Sequence, residues 1–210
     1  MTPRERFYKA LLFIGTVIYY VGGYLVVNYL SFQRGVFHDV MLPGEDKIPF
    51  IPWFIFVYVS SYLVIIYLYL RIQSLSFFQR AILAFLICVT IHLTIFVLFP
   101  VRYNLRPLIN PEVSWLMEIM DFYYWLDLPY NCFPSLHASN AFLVYLLIKK
   151  YGGREAWFIG TMAVLITISI VLVKQHYILD AVCGIPVAFV SLWLAFLKRP
   201  QESTQKAFST

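Results

Sequence analysis

Six long apolar segments constrain this chain more than any other feature. A helix needs about 20 mostly apolar residues to cross the hydrocarbon core of a bilayer. Hydrophobic residues make up 61% of the chain and charged residues 13%, against roughly 45–50% and 25% in soluble domains. The sequence therefore predicts an all-α, polytopic membrane protein with six transmembrane helices in one bundle. The predicted spans are approximately residues 10–31, 51–70, 81–101, 134–150, 155–174 and 176–198.

The same segments determine the predicted domain organisation. Six spans occupy most of the 210 residues, so we predict one membrane domain over residues 1–200. Residues 201–210 are polar and are predicted to form a disordered cytoplasmic tail. The first apolar segment is too long for a signal-peptide core and is not followed by an Ala-x-Ala cleavage site. We therefore interpret it as a retained membrane anchor.

Basic residues are unequally distributed between the two sides that six alternating spans define. Of the 16 lysines and arginines, eleven fall on the side of the termini and five on the other side. Because positive charge accumulates in cytoplasmic loops, both termini are predicted to be cytoplasmic. The other loops then face the periplasm, the cell exterior or a lumen. The net charge of +5 is explained by this bias, and no nucleic-acid partner is predicted.

A polar string with catalytic potential precedes the sixth span. His176 and Asp180 are four residues apart, which places both side chains on one face of a helix. A carboxylate that accepts a hydrogen bond from one ring nitrogen leaves the other nitrogen as a basic lone pair. A histidine nucleophile is prepared in this way. The alternative is a histidine that only caps the start of the sixth span.

A second polar string, Pro134-Ser135-Leu136-His137, opens the fourth span. It predicts a helix start with Pro134 in the first turn and Ser135 as the cap of free backbone amides. Unpaired amides in such a turn suit a phosphate group, and His137 could serve as general acid to a leaving oxygen. The alternative is an interfacial histidine without a partner.

Cationic residues lie near both strings on the predicted outer side. Arg102 and Arg106 follow the third span, and Lys174 occupies the turn before the sixth span. Guanidinium groups bind phosphate bidentately, although arginines also flank membrane helices without binding anything, and a lysine can simply snorkel to the interface. Arg102, Arg106, Lys174 and Ser135 are the candidate phosphate-binding residues.

Taken in chain order, these strings resemble the type 2 phosphatidic acid phosphatase superfamily of membrane phosphatases and phosphotransferases. That family carries Lys-x6-Arg-Pro, then Pro-Ser-Gly-His, then Ser-Arg-x5-His-x3-Asp on six helices. The resemblance spans about residues 99–184. The matching residues are Arg106-Pro107, Pro134-Ser135-x-His137, Ser169 and His176-x-x-x-Asp180.

The chain departs from the family pattern at three positions. Phe99 stands where the first lysine is expected, Leu136 replaces the glycine, and Ile170 stands where the later arginine is expected. Arg102 and Lys174 are the available substitutes for the missing cations. Pro-Ser-Leu-His together with His-Tyr-x-x-Asp is similar to the branch that includes inositol phosphorylceramide synthases.

The resemblance implies a two-step displacement without cofactor or metal. His176, held by Asp180, attacks phosphorus, and His137 protonates the departing oxygen, after which water or an alcohol opens the phosphohistidine. The first prediction is hydrolysis of a phosphomonoester or pyrophosphate of a lipid at the outer leaflet. The alternative is transfer of a phosphoryl-linked headgroup between lipids, as in inositol phosphorylceramide or sphingomyelin synthases. A non-catalytic channel or transporter is the alternative of another class.

The loop between the third and fourth spans is predicted to contain a helix of its own. Asn110 is a suitable cap and Pro111 a suitable first residue, and apolar residues then recur at helical spacing. This pattern predicts an amphipathic helix at the membrane interface, which either gates the site or simply packs on the bundle. His92 is predicted to be a hydrogen-bonded packing residue, and Glu45 to lie in a solvated turn.

Overall fold

The computed structural model describes residues 1–197, and these residues form seven α-helices and no β-strand. Three short 3₁₀ helices, at Glu45–Lys47, Pro52–Phe54 and Pro111–Val113, lie in the loops. The predicted tail lies outside the described residues. The α-helices are α1 (Pro3–Arg34), α2 (Ile55–Arg71), α3 (Leu75–Leu98), α4 (Trp115–Leu126), α5 (Leu136–Tyr151), α6 (Ala156–Leu172) and α7 (Ile178–Phe196).

Four helical segments are long and apolar enough to cross a membrane. These are α1, α3, α7 and the segment Pro52–Arg71, which includes α2. The helix α6 is apolar but has 17 residues, and α5 has 16 residues, several of them small or polar. The chain is therefore a membrane protein, while the six-span bundle stays a prediction.

The helix α5 lies at the centre of the fold and contacts α2, α3, α6 and α7. Eleven of its 16 residues are buried, so small and polar side chains on this helix face other helices. The helix α1 is peripheral and packs mainly on α3. Its outer surface carries exposed apolar side chains, as expected of a helix that faces hydrocarbon.

The helices α5 and α7 approach each other closely at Gly184. A Cβ atom at this position would lie 2.5 Å from the carbonyl oxygen of Ser135 and 3.0 Å from Oγ of Ser139. The backbone N–H of Ser135 donates to the carbonyl oxygen of Asp180 at 2.8 Å. The N-terminal turns of both helices are therefore joined directly, which brings the two polar strings to the same end of the fold.

Two helix starts differ from the sequence prediction by a few residues. Ser135 is the N-cap of α5, with its Oγ accepting from the Ala138 amide at 3.4 Å, so Pro134 precedes the cap and is not in the first turn. Asn110 caps only the 3₁₀ turn Pro111–Val113. The helix α4 begins only at Trp115, because Ser114 has an extended backbone and serves as the N-cap of this helix.

The helix α4 has a partly buried apolar face. Leu116 and Met120 are buried, whereas Leu126, at the end of the helix, is exposed. The predicted helix in this loop therefore exists. Its position at a membrane interface and its gating role stay predictions.

Candidate functional site

The two histidines of the polar strings lie next to each other. His137 is in the first turn of α5, and His176 is in the turn just before α7. The centroids of their rings are 5.9 Å apart, and both side chains are largely buried. Two stretches of chain that are about 40 residues apart therefore form one site.

Asp180 holds the ring of His176 from the first turn of α7. Its Oδ2 lies 3.4 Å from Nδ1 of His176 and accepts from the backbone N–H of Tyr177 at 2.9 Å. A carboxylate accepts hydrogen bonds and does not donate them. The contact with Asp180 therefore assigns the proton to Nδ1 of His176 and leaves Nε2 with a free lone pair. Within residues 1–197, Oδ1 of Asp180 is buried without a hydrogen-bond partner.

Ser135 and Arg106 both connect to the surroundings of His176. Ser135 is fully buried and joins α5 to α7 through its backbone. The guanidinium of Arg106 donates to the carbonyl oxygen of Asp127 at 2.7 Å and to the side-chain oxygen of Gln175. Arg106 therefore ties the segment after α4 to the residue that precedes His176, and its buried Nε has no partner within residues 1–197.

Lys174 and Arg102 are placed very differently. Lys174 lies in the turn between α6 and α7, is 5% exposed, and has a left-handed backbone with φ of 55°. Burial lowers the pKa of Lys174, while the carboxylates of Glu45 and Asp46 act in the opposite direction. Arg102 is exposed, and its guanidinium lies 5.8 Å from the ring of Tyr130. No hydrogen bond joins Arg102 to the histidine pair in the described part of the chain.

Glu45 is a site neighbour that sequence reasoning missed. The prediction of a solvated turn is wrong for this residue, because Glu45 is only 3% exposed. One carboxylate oxygen accepts from the backbone N–H of Ile178, the first residue of α7, and the other accepts from the Leu42 amide at 2.7 Å. Carboxylates suit the unpaired amides at a helix N-terminus. Glu45 therefore fixes the loop between α1 and α2 onto the start of α7, beside His176.

Asp127 and a group of tyrosines form a second set of contacts close to His137, and the sequence did not predict it. The carboxylate of Asp127 accepts from the hydroxyl of Tyr24 and from that of Tyr58 at 2.9 Å. The ring of Tyr58 lies 4.6 Å from that of His137, and the hydroxyl of Tyr62 lies 3.5 Å from its Nε2. No sequence spacing connects these residues, because they come from α1, α2 and the end of α4.

His92 is a packing residue, as the sequence predicted. It is fully buried and its Nδ1 donates to the carbonyl oxygen of Cys88 at 2.7 Å. Its Nε2 lies 2.9 Å from Oγ of Ser139, which links α3 to α5. Residues 1–197 contain no group of three or more His, Cys, Asp or Glu side chains arranged to hold a metal ion, and metal independence stays a prediction.

Comparison with known families completes the description of this site. The sequence model of the PAP2 superfamily matches residues 48–194, a segment that includes both polar strings and the candidate cations Arg102, Arg106 and Lys174. Searches of curated proteins and of solved structures found no match. The resemblance to the type 2 phosphatidic acid phosphatases is thus confirmed at the level of the superfamily. Because the match covers more than half of the chain, this protein belongs to the PAP2 superfamily.

Proposed function

We propose that this protein is an integral membrane phosphatase that hydrolyses a phosphomonoester or pyrophosphate of a lipid through a phosphohistidine. Membership of the PAP2 superfamily supports phosphatase or phosphotransferase chemistry on lipid phosphates. The observation that carries the proposal is the arrangement of three side chains. The rings of His137 and His176 lie 5.9 Å apart, and Asp180 contacts His176 through Nδ1.

In the first step, Nε2 of His176 forms a bond to phosphorus. The bond between phosphorus and the ester oxygen breaks, and that oxygen takes a proton from His137 as the alcohol leaves. Nucleophilic attack needs reacting atoms about 3–3.5 Å apart, and a general acid must lie about 2.6–3.2 Å from the oxygen that it protonates. The attacking and leaving groups lie roughly in line on opposite sides of phosphorus, so in this proposal the phosphoryl group lies between the rings of His176 and His137.

In the second step, a water molecule attacks the phosphorus of the phosphohistidine. His137, now neutral, takes a proton from this water, and the bond between phosphorus and Nε2 breaks. Inorganic phosphate leaves, and both histidines return to their starting protonation states. The full cycle consumes only the substrate and one water molecule.

The charge on the phosphoryl oxygens is met by cations and backbone amides in this proposal. Arg106 and Lys174 lie beside His176, and Ser135 lies at the amide-rich start of α5; Arg102 is the outermost candidate. Preorganised donors of this kind contribute about 3–4 kcal/mol each to the transition state. With six spans and cytoplasmic termini, this end of the fold faces the outer leaflet. Lys149 and Lys150, at the opposite end of α5, fit this orientation.

Transfer to an alcohol is the second candidate function. His137 lines a cavity of about 250 Å³ between α1, α2 and α4, which has room for an acceptor next to the general base. An inositol phosphorylceramide or sphingomyelin synthase-like reaction uses the same phosphohistidine and differs only in the attacking oxygen.

Purified protein supplied with a phosphorus-labelled lipid phosphate distinguishes these candidates. Release of free phosphate is expected, together with an acid-labile label on the protein that His176→Ala abolishes. A labelled lipid product that forms only when an alcohol is added would favour transfer. Transport of the lipid with no label on His176 and no released phosphate would overturn both enzymatic proposals and favour a transporter.

A further inference from the structure

Two buried nitrogen atoms close to His176 lack a hydrogen-bond partner. Among the side-chain atoms of residues 1–197 that are buried without a partner, the nitrogens are Nε of Arg106 and Nε2 of Gln175. A buried N–H group that makes no hydrogen bond costs about 1–3 kcal/mol, and most buried polar groups in folded proteins are paired. The side chains of Arg106 and Gln175 contact each other, so these unpaired donors are concentrated at one place in the fold.

The contact with Arg106 determines which way the amide of Gln175 faces. A guanidinium only donates hydrogen bonds, so the atom of Gln175 that meets Arg106 is the oxygen Oε1. The nitrogen Nε2, with its two N–H donors, therefore points away from the guanidinium. Gln175 is 2% exposed, so bulk water does not satisfy these donors.

Arg106 itself is largely occupied by the protein. Its guanidinium donates to the carbonyl oxygens of Tyr124 and Asp127 at 3.2 and 2.7 Å and to the side chain of Gln175. It also lies 4.6 Å from the centre of the Tyr124 ring. These contacts fix the guanidinium, so Arg106 brings its charge and its unpaired Nε–H to the site and holds the amide of Gln175 in one orientation.

Gln175 directly precedes His176 in the turn before α7. The backbone N–H groups of both residues donate to the carbonyl oxygen of Ile170, at 2.9 and 3.1 Å, which holds the turn in one conformation. Consecutive Cα atoms are about 3.8 Å apart. The amide at the end of the glutamine side chain is therefore within reach of a phosphoryl group bonded to the neighbouring imidazole.

We propose that Gln175 is a further catalytic residue, which donates a hydrogen bond from Nε2 to an oxygen of the phosphoryl group. The inference rests on the proposed phosphatase function and adds a binding group to the same site. It supplies a donor that this turn otherwise lacks, because Ile170 stands where the family pattern has an arginine. The amide keeps its protons throughout, and no covalent bond to Gln175 forms or breaks.

A neutral donor at this position stabilises the transition state without adding charge to the site. The negative charge of a transferring phosphoryl group is spread over its three equatorial oxygens. Asn and Gln side chains serve as preorganised donors to such oxyanions, and removal of one donor lowers kcat by about 10²–10³. Arg106 orients the amide before substrate binds, so Gln175 needs no reorganisation at the moment of reaction.

Two substitutions of Gln175 separate its donor from its contact with Arg106. Gln175→Glu keeps an oxygen for Arg106 but removes both N–H donors, whereas Gln175→Met removes donor and acceptor without adding charge. Both are expected to lower kcat for hydrolysis of a lipid phosphate by about 100-fold or more. Gln73→Glu, the same change at an exposed position between α2 and α3, is the matched control and keeps the wild-type rate.

The wild type provides a third measurement, which does not depend on the folding of any variant. Orthovanadate adopts the trigonal-bipyramidal geometry of a phosphoryl group in transfer and is the probe. In protein labelled with ¹⁵N-glutamine, one side-chain amide signal is expected to shift when orthovanadate binds, and Gln175→Glu should lack this signal. If no glutamine amide signal shifts in the wild type, Gln175 does not contact the oxyanion and the inference fails.

Two further results overturn the inference and leave the phosphatase function standing. Wild-type activity in Gln175→Glu would show that the side chain serves only to anchor Arg106. Wild-type activity in Gln175→Met, together with a loss in Gln175→Glu, would assign that loss to charge repulsion. In both cases, loss of all hydrolysis in His176→Ala would still support the proposed function. If the wild type releases no phosphate from any lipid phosphate, both proposals fail.

Discussion

Gly184→Ala tests whether the close approach of α5 and α7 positions the catalytic pair. The new Cβ would lie 2.5 Å from the carbonyl oxygen of Ser135, whereas ordinary contacts begin at 3.4 Å. The obstacle is a backbone atom, so the two helices must separate by about 0.9 Å along this direction. Overpacking of this kind costs about 1–3 kcal/mol of stability.

The displaced atom is the carbonyl oxygen of Ser135, which caps α5 and precedes His137 by two positions. The backbone N–H of Ser135 also donates to the carbonyl oxygen of Asp180 at 2.8 Å. The shift would therefore move His137, the proposed general acid, away from His176 and Asp180. A misplacement of about 1 Å can reduce turnover about 100-fold. We therefore expect kcat/KM of Gly184→Ala to fall by about two orders of magnitude.

Phosphate release by the purified variant, together with its thermal unfolding, provides the measurement. Gly22→Ala is the control, because Gly22 is also within a helix, α1, and a Cβ there has nothing within 4 Å. Both substitutions gain the same helix propensity of about 1 kcal/mol, so the difference between them reports the contact with α5. A Gly184→Ala protein with wild-type rate and stability would refute the reasoning.

Three further predictions concern the nucleophile and its surroundings. His176→Ala and Asp180→Ala should each reduce turnover at least about 10³-fold without adding in the double variant; full additivity in phosphate-release assays would contradict a shared role. Glu45→Gln replaces one acceptor oxygen by an amide donor at the start of α7 and should cost about 1–3 kcal/mol in unfolding experiments, whereas the exposed Asp46→Asn should cost nothing measurable. Lys174→Gly relieves a left-handed backbone and should preserve or raise stability by about 1 kcal/mol while lowering kcat/KM; unchanged kinetics would exclude a phosphate-binding role.

Local patterns in the sequence predicted the local structure well. Each of the six apolar segments contains or overlaps one α-helix, because apolar composition and helix length are encoded over short stretches. The contact between His176 and Asp180 was expected from their spacing of four residues, although His176 lies in the turn before α7 and not on the helix itself. Ser135 was identified as a cap for the same reason, since capping depends on a residue and the amides that follow it within one turn.

Contacts over long sequence distances could not be predicted in this way. Glu45 and Asp127 are loop carboxylates, and nothing adjacent to them distinguishes a helix cap or a cavity-lining group from a solvated side chain. Glu45 contacts an amide 133 residues away, and Asp127 accepts from a tyrosine 103 residues away. Arg102 and Arg106 look equivalent in sequence, but only Arg106 meets Gln175, since that contact depends on the path of the whole loop.

The structure also accounts for one departure from the family pattern. Phe99 stands where a lysine is expected, and its ring stacks on His38 with centroids 4.1 Å apart. It also meets the ring of Phe133 edge-on at 5.8 Å. This position therefore contributes aromatic packing between the loop that joins α1 to α2, the end of α3 and the segment before α5, and it brings no charge to the site.

The second missing cation has a comparable explanation. Ile170 is fully buried, and its carbonyl oxygen accepts from the backbone N–H groups of Gln175 and His176 at 2.9 and 3.1 Å. These bonds shape the tight turn that carries His176, the proposed nucleophile, and the buried side chain of Ile170 packs beside this turn. With both family positions occupied by packing residues, Arg106 and Lys174 are the proposed cationic partners of a phosphate at His176. Both are held by backbone and side-chain oxygens of the turn and loops around His176, so the proposed mechanism draws its positive charge from the loops and not from the helices.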